Sequence, residues 1–198
     1  MVQESKMKHY AILLILLLLT GCSVKNSPTF NTYAIDFHTQ SKTSKTINKT
    51  IFINQPYING AFATKNIFYT TKAYEYDAYA KNRWIDFPSS MLQLQLTQAF
   101  AQAKLFKHQS MSSSRLTPDI YLNTVVNKMY HLHERGESYA MLSMSFELIE
   151  KGNLLLSKQI NRRLKCKENT PYGYVQALNE VLKMSIEELI KEVANTSL

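Results

Sequence analysis

The stretch Tyr139-Ala140-Met141-Leu142-Ser143-Met144-Ser145-Phe146-Glu147-Leu148-Ile149-Glu150 alternates strictly. Ala140, Leu142, Met144, Phe146 and Leu148 fall on one side, and Met141, Ser143, Ser145 and Glu147 on the other. A period of two over this length is a strand with one buried and one wetter face. Lys151-Gly152-Asn153 follows it with a tight hairpin signal, so Leu154 to Cys166 reads as the antiparallel neighbour. Asp119 to His131, upstream, reads as a further strand.

Helical periods flank this group. Ser89 to Lys107 places Leu92, Leu96, Ala99, Phe100, Ala103 and Phe106 on one stripe, with Gln95, Gln98 and Gln102 opposite. Pro88 suits its first turn. Thr170-Pro171 supplies an N-cap and first position for a second helix, whose stripe holds Val175, Leu178, Val181, Leu182, Leu189, Ile190 and Val193. Upstream, Phe30 to Phe37 and Thr50 to Ile53 read as strands, His38 to Lys49 as a loop, and Ile67 to Thr71 with Ala73 to Tyr79 as a hairpin. Tyr74, Tyr76 and Tyr79 are expected mostly on one face. The order β-β-β-β-α-β-β-β-α predicts an α+β (mixed α/β) fold, an antiparallel or mixed sheet with two amphipathic helices packed on one face.

Composition narrows the function. The chain has 198 residues, 45% hydrophobic and 19% charged, a globular balance. Five glycines stand at spacings that match neither a phosphate-cradling loop nor a dinucleotide fingerprint. Two cysteines exclude a disulfide-dense scaffold and a four-cysteine zinc site.

The first residues read as an address. Lys6 and Lys8 precede the unbroken apolar run Ala11 to Leu19, too short to span a bilayer as a helix. Leu19-Thr20-Gly21-Cys22 then has the form of a lipobox, with small residues before a cysteine. Residues 1–21 are thus expected to be a lipoprotein signal peptide, 22–29 a lipidated tether, and 30–198 the folded domain. The Cys22 thiol would carry diacylglycerol, with a further acyl chain such as palmitate on the new amino group. At ~0.8 kcal/mol per buried CH₂, two or more chains hold a protein stably to a membrane. Ser23 in place of an aspartate favours the outer membrane, facing the periplasm. Cys166 is then left without a partner and is expected in the core.

A search for chemistry yields little. His131-x-His133-Glu134 is the sole histidine cluster, and it reads as an exposed polar hairpin end ahead of Gly136 rather than as a metal site. No catalytic residue, metal ligand or cofactor beyond the acyl anchor is expected. Arg162, Arg163, Lys165 and Lys167 form a basic edge, either a surface for anionic lipid or an acidic partner, or a solvated edge strand. Tyr57, Phe62, Phe68, Tyr69, Tyr74, Tyr76, Tyr79, Trp84 and Phe87 make a dense aromatic segment, readable as packing or as an interaction surface.

Within that segment, Tyr76, Tyr79, Trp84 and Pro88, with the Trp-x-x-x-Pro spacing, follow a strand ending at Gln55-Pro56-Tyr57. Together with the lipobox and Tyr33, this pattern resembles the ABC-type transport auxiliary lipoproteins, the PqiC/YmbA-like family. The resemblance implies a non-enzymatic subunit that docks an ABC/MCE-type envelope lipid-transport system at the outer membrane, with MCE-domain or ABC-transport proteins as partners and a homo-oligomeric state. Tyr76, Tyr79 and Trp84 are read as core residues that define the fold rather than as that docking surface. Two other readings stand beside it: an LPS-assembly-type lipoprotein bound to an outer-membrane barrel, and a surface adhesin or structural lipoprotein. Removing residues 1–21 leaves a net charge of +7, so the basic balance belongs to the domain. A periplasmic location makes nucleic acid an unsuitable partner and assigns the charge to an anionic membrane surface or an acidic protein.

Cys22→Ser removes the only thiol at the lipobox. The chain is expected to accumulate as the uncut precursor without incorporated acyl label, read by metabolic labelling and intact mass.

Overall fold

The computed structural model describes residues 29–112 and 117–197. The described chain runs β1 (Asn31–Tyr33), β2 (Ile47–Ile53), β3 (Tyr57–Ile58), β4 (Asn66–Lys72), β5 (Glu75–Trp84), α1 (Pro88–Ala103), β6 (Phe106–Ser110), β7 (Ile120–Glu134), β8 (Glu137–Glu150), β9 (Asn153–Lys165) and α2 (Pro171–Asn195).

All nine strands join one mixed sheet. Its axis is β7. Along one edge β7 pairs antiparallel with β8 from Ile120↔Glu150 to Glu134↔Glu137. Along the other it takes three parallel partners in turn: β2 at Leu122, β3 at Val125 and Val126, and β4 at His131 and Leu132. Beyond β2 lies β6, also parallel; beyond β4 come β5 and β1. β9 pairs with β8 alone.

The period-two reading of Tyr139–Glu150 holds residue by residue. Ala140, Leu142, Met144, Phe146 and Leu148 are all buried, while Ser143, Ser145 and Glu147 stand on the wetter face. Two-residue turns close both flanking hairpins. Arg135-Gly136 and Lys151-Gly152 each have positive φ at both positions, the primed geometry whose twist matches the strands. One residue, Asn127, is extra in the β7–β8 ladder and forms a bulge between Val126 and Lys128. That bulge keeps Met129 and His131 on the same buried face as Val126.

Both helices lie on that face. α1 packs against β2, β3 and β6, α2 against β8 and β9, and the two helices touch each other. Phe87-Pro88 starts α1 as expected, but the helix stops at Ala103, where Lys104 turns left-handed at φ 54. The expected continuation to Lys107 is therefore corrected: Phe106 belongs to β6 and still reaches the core from there. β3 and β6 escaped the sequence reading because two to five residues carry too little periodicity to register.

Gln95, expected opposite the apolar stripe, instead faces the core. It is buried, and its Oε1 accepts the Phe37 N–H at 3.1 Å. The segment between β1 and β2 crosses the helix pair, and helix side chains fasten it. Asn179 Oδ1 accepts from the Asp36 N–H (2.8 Å), and Asn179 Nδ2 donates to the Ala34 carbonyl (3.1 Å). The buried Gln95 Oε1 thus satisfies a backbone N–H that would otherwise lose its water, while its Nε2 donates to Asp36 Oδ1 at 3.3 Å.

Thr170 caps α2, its Oγ1 accepting the Gly173 N–H at 3.0 Å. The chain enters the helix so tightly that a Cβ on Gly173 would stand 2.2 Å from the Glu168 carbonyl oxygen. Gly173→Ala must push backbone apart, at a cost of ~1–3 kcal/mol. Its Tm in thermal unfolding should fall by several degrees, whereas Gly60→Ala, with open space around it, should leave Tm near wild type.

Candidate functional site

Strands β4, β5 and β7 and the start of α2 bring together residues spread over a hundred positions. His131 and His133 alternate on β7 and share its inner face, and their rings lie 4.1 Å apart. Tyr79 reaches both from β5: its hydroxyl is 2.7 Å from His131 Nδ1 and 2.9 Å from His133 Nε2. On its far side, His131 Nε2 lies 3.7 Å from the Cys166 sulfur. Tyr174 of α2 stacks on His131 at 5.1 Å between centroids, and Tyr69 of β4 stacks on Tyr79 at 4.5 Å.

A hydroxyl has one proton, so Tyr79 donates to one imidazole and must accept an N–H from the other. The two histidines are therefore held in complementary neutral tautomers. If His131 Nδ1 accepts from Tyr79, its Nε2–H points at the thiol; if Nδ1 donates, the thiol S–H donates to Nε2. Either way Cys166, His131, Tyr79 and His133 form one polarised chain. Burial, reinforced by His133, depresses the His131 pKa to about 3. Burial also lowers His133 and raises Tyr79 and the Cys166 thiol. The whole group is uncharged at neutral pH.

This overturns the reading of His131-x-His133 as an exposed hairpin end: His131 is fully buried. The strand ends at Glu134, so the pair does stand just before the β7–β8 turn, but on the inner face of the sheet, with His131 enclosed by Tyr79, Cys166 and Tyr174. Among the described residues, no three His, Cys, Asp or Glu side chains are placed to hold a metal ion. The chain of hydrogen bonds instead joins β5, β7 and the segment leading into α2. Cys166 lies in the core, as expected.

The motif residues divide. Trp84 is buried, close to Tyr174 at 6.4 Å, and Pro88 is buried at the head of α1. Tyr79 is half-buried. Tyr76 lies on the outer face, edge-on to Phe62 and Tyr130 and partly exposed. The expectation that Tyr74, Tyr76 and Tyr79 share a face is thus corrected: Tyr74 sits in the β4–β5 turn, and Tyr76 and Tyr79 point to opposite faces. The aromatic segment accordingly serves two small cores, one on each side of the sheet.

The basic edge is largely neutralised. Arg162 turns to α2, where it pairs with Glu188 and its Nε donates to Ser185 Oγ at 3.1 Å. Arg163 pairs with Glu134, and Lys165 with Glu137, on the other face. Lys167 alone of the four has no ion pair among the described residues. Leu19, Thr20, Gly21 and Cys22 lie outside the described residues. So does most of the expected tether.

A cavity of about 500 Å³ opens beside His133, between the tips of the β4–β5 and β7–β8 hairpins. Lys72, Tyr74, Tyr76, Lys128, Tyr130 and Arg135 are among its lining residues. Sequence reasoning missed this grouping, as it missed Tyr174. Partners fifty or a hundred residues apart leave no local pattern.

The family model for the ABC-type transport auxiliary lipoprotein component matches residues 33–189, and the chain belongs to that family. The chain is thus a lipoprotein auxiliary component of ABC-type transport, located in the cell envelope. Among solved structures, protein XCC0632 from Xanthomonas campestris superposes with a TM-score of 0.74 at 12% identity, over 83% of this chain and 95% of that one. An uncharacterized protein superposes at 0.68 and 17% identity, over 83% of this chain and 99% of the other. At such identities these establish the fold alone. No curated protein matches the chain.

A histidine whose folded pKa is about 3, against an unfolded value of ~6.5, favours the native state fully above pH ~6.5 and loses that contribution as pH falls toward 3. Stability to denaturant should decline over that interval by up to ~1.4 kcal/mol per pH unit for this group. His131→Gln should lack that part of the slope. Tyr79→Phe strands two ring nitrogens and should cost ~1–3 kcal/mol at pH 7.

Proposed function

We propose that the protein is an outer-membrane-anchored lipoprotein facing the periplasm, a non-enzymatic docking subunit of an ABC/MCE-type envelope lipid-transport system. The family match over residues 33–189 carries the reading, joined to the lipobox Leu19-Thr20-Gly21-Cys22. The chemistry of the domain agrees with it. The Tyr79–His131–His133–Cys166 cluster is neutral and turned into the core, as suits a joint between strands. No cofactor is assigned beyond the acyl chains on Cys22. Among the described residues no helix is long and apolar enough to cross a membrane, so in this reading attachment falls to the anchor.

Partners in this reading are MCE-domain or ABC-transport proteins and further copies of the chain. The outer edge of β9, unpaired among the described residues, supports self-association, because a thirteen-residue strand with one open ladder is a template for pairing.

Affinity purification of the tagged, lipidated protein from detergent-solubilised membranes tests the proposal. An MCE-domain protein should co-purify. A large outer-membrane barrel with lipopolysaccharide in its place would support the LPS-assembly reading, and protease accessibility on intact cells with no such partner would support the adhesin reading.

A further inference from the structure

Three features meet at one end of the sheet. The first is the direction in which the chain enters the fold. β1 runs parallel to β5, with Asn31 beside Asn82. Followed backward from Asn31, the direction of β1 points toward the start of β5, where the β4–β5 turn lies. Glu75 to Lys81 span ~23 Å at ~3.3 Å per residue. Residues 22–30, fully extended, reach at most ~30 Å. A lipid on Cys22 can thus stand level with the β4–β5 tip, whereas the opposite tip at Lys151-Gly152 is a full β8 strand farther away.

The second feature is Tyr74. It is fully exposed, yet it occupies φ 70, a conformation suited to glycine or asparagine. A bulky ring there adds nothing to the core and strains the backbone, and such outliers accompany function. Tyrosine is a side chain that settles at the boundary between hydrocarbon and headgroups.

The third feature is charge. Lys72 and Arg135 flank the two tips, and Lys128 lies beneath them on the outer face, all three lining the cavity between the hairpins. Lys128 and Arg135 form no ion pair among the described residues, while the nearby carboxylates of Glu134 and Glu75 are paired with Arg163 and Lys72.

We propose that this end, Tyr74 with Lys72, Lys128 and Arg135, rests on the anionic phospholipid headgroups of the membrane that holds the Cys22 anchor. The tether then sets the distance, the ring enters the interface, and the cations meet headgroup phosphates in the cleft. The free β9 edge and the helix pair are left available to other proteins. This surface rests on the lipid-anchor reading of Cys22.

The lipidated chain, in detergent and in vesicles of phosphatidylcholine with or without one-third phosphatidylglycerol, is compared by amide hydrogen exchange. Residues 71–76 and 133–137 should exchange about tenfold more slowly in the anionic vesicles, a factor matching one to two headgroup-bound cations. Residues 150–153, at the far tip, should be unchanged. Tyr74→Asn, which suits φ 70 and should not lower Tm, and Lys128→Gln with Arg135→Gln should each abolish most of that slowing. Equal exchange in detergent and anionic vesicles, equal slowing at 150–153, or full slowing in the variants overturns the proposal. The mass of the N-terminal peptide separates the two readings. An acylated peptide with no slowing defeats the surface alone; a peptide without acyl chains defeats the anchor and, with it, the surface.

Discussion

Strand β7 is the constraint from which the rest of the architecture follows. Fifteen residues long, it exposes two full ladders of backbone groups, and every one that is buried needs a partner. β8 satisfies one edge throughout. The other edge is shared among β2, β3 and β4, which climb it in parallel like successive rungs. Parallel pairing demands crossovers, and these carry the chain over the helices and out to both margins of the sheet. The segment crossing between β1 and β2 is fixed by Gln95 and Asn179, so the helices do more than cover an apolar face.

Where β4 and β5 join β7, an apolar contact is replaced by hydrogen bonds. Tyr79, His131, His133 and Cys166 form a neutral chain in which each ring has one acceptable tautomer for a given setting of its neighbours. Such a network fixes register more strictly than interchangeable aliphatic packing, because a slip by one residue would leave several buried polar atoms without partners. It also confines the aromatic residues: Trp84 and Tyr174 pack around it on the inner face, while Phe62, Phe68, Tyr76 and Tyr130 build a separate cluster outside.

The ends of the molecule are unequal. At one, two hairpin tips present Tyr74 and Arg135, with Lys128 beneath them, and neither cation has an ion pair among the described residues. At the other, Lys49 pairs with Glu150 beside the β8–β9 turn. Along the flank, Lys158 and Arg162 of β9 reach Glu188 and Glu192 of α2, so much of the basic character is spent inside the fold. The charge that stays unpaired at the tips is therefore a small part of the total, concentrated by topology.

By itself the sequence determined whatever depends on near neighbours. The alternation at Tyr139–Glu150, the turn at Lys151-Gly152, the cap at Thr170-Pro171 and the lipobox form are each written within a few residues, because period, turn conformation and enzyme recognition act over that range. The α+β class followed from the local periods, while the resemblance to the family lay in the segment from Tyr76 to Pro88 together with Tyr33 and the lipobox. Only the tertiary structure decided that Gln95 faces inward, that Phe106 starts a strand, and that His131 is buried and uncharged. It alone set Tyr76 and Tyr79 on opposite faces and gathered Lys72, Tyr74, Lys128 and Arg135 at one end. Those outcomes depend on which strand lies beside which. Partners separated by fifty residues or more are chosen by the packing of the whole sheet, with no trace in the local pattern.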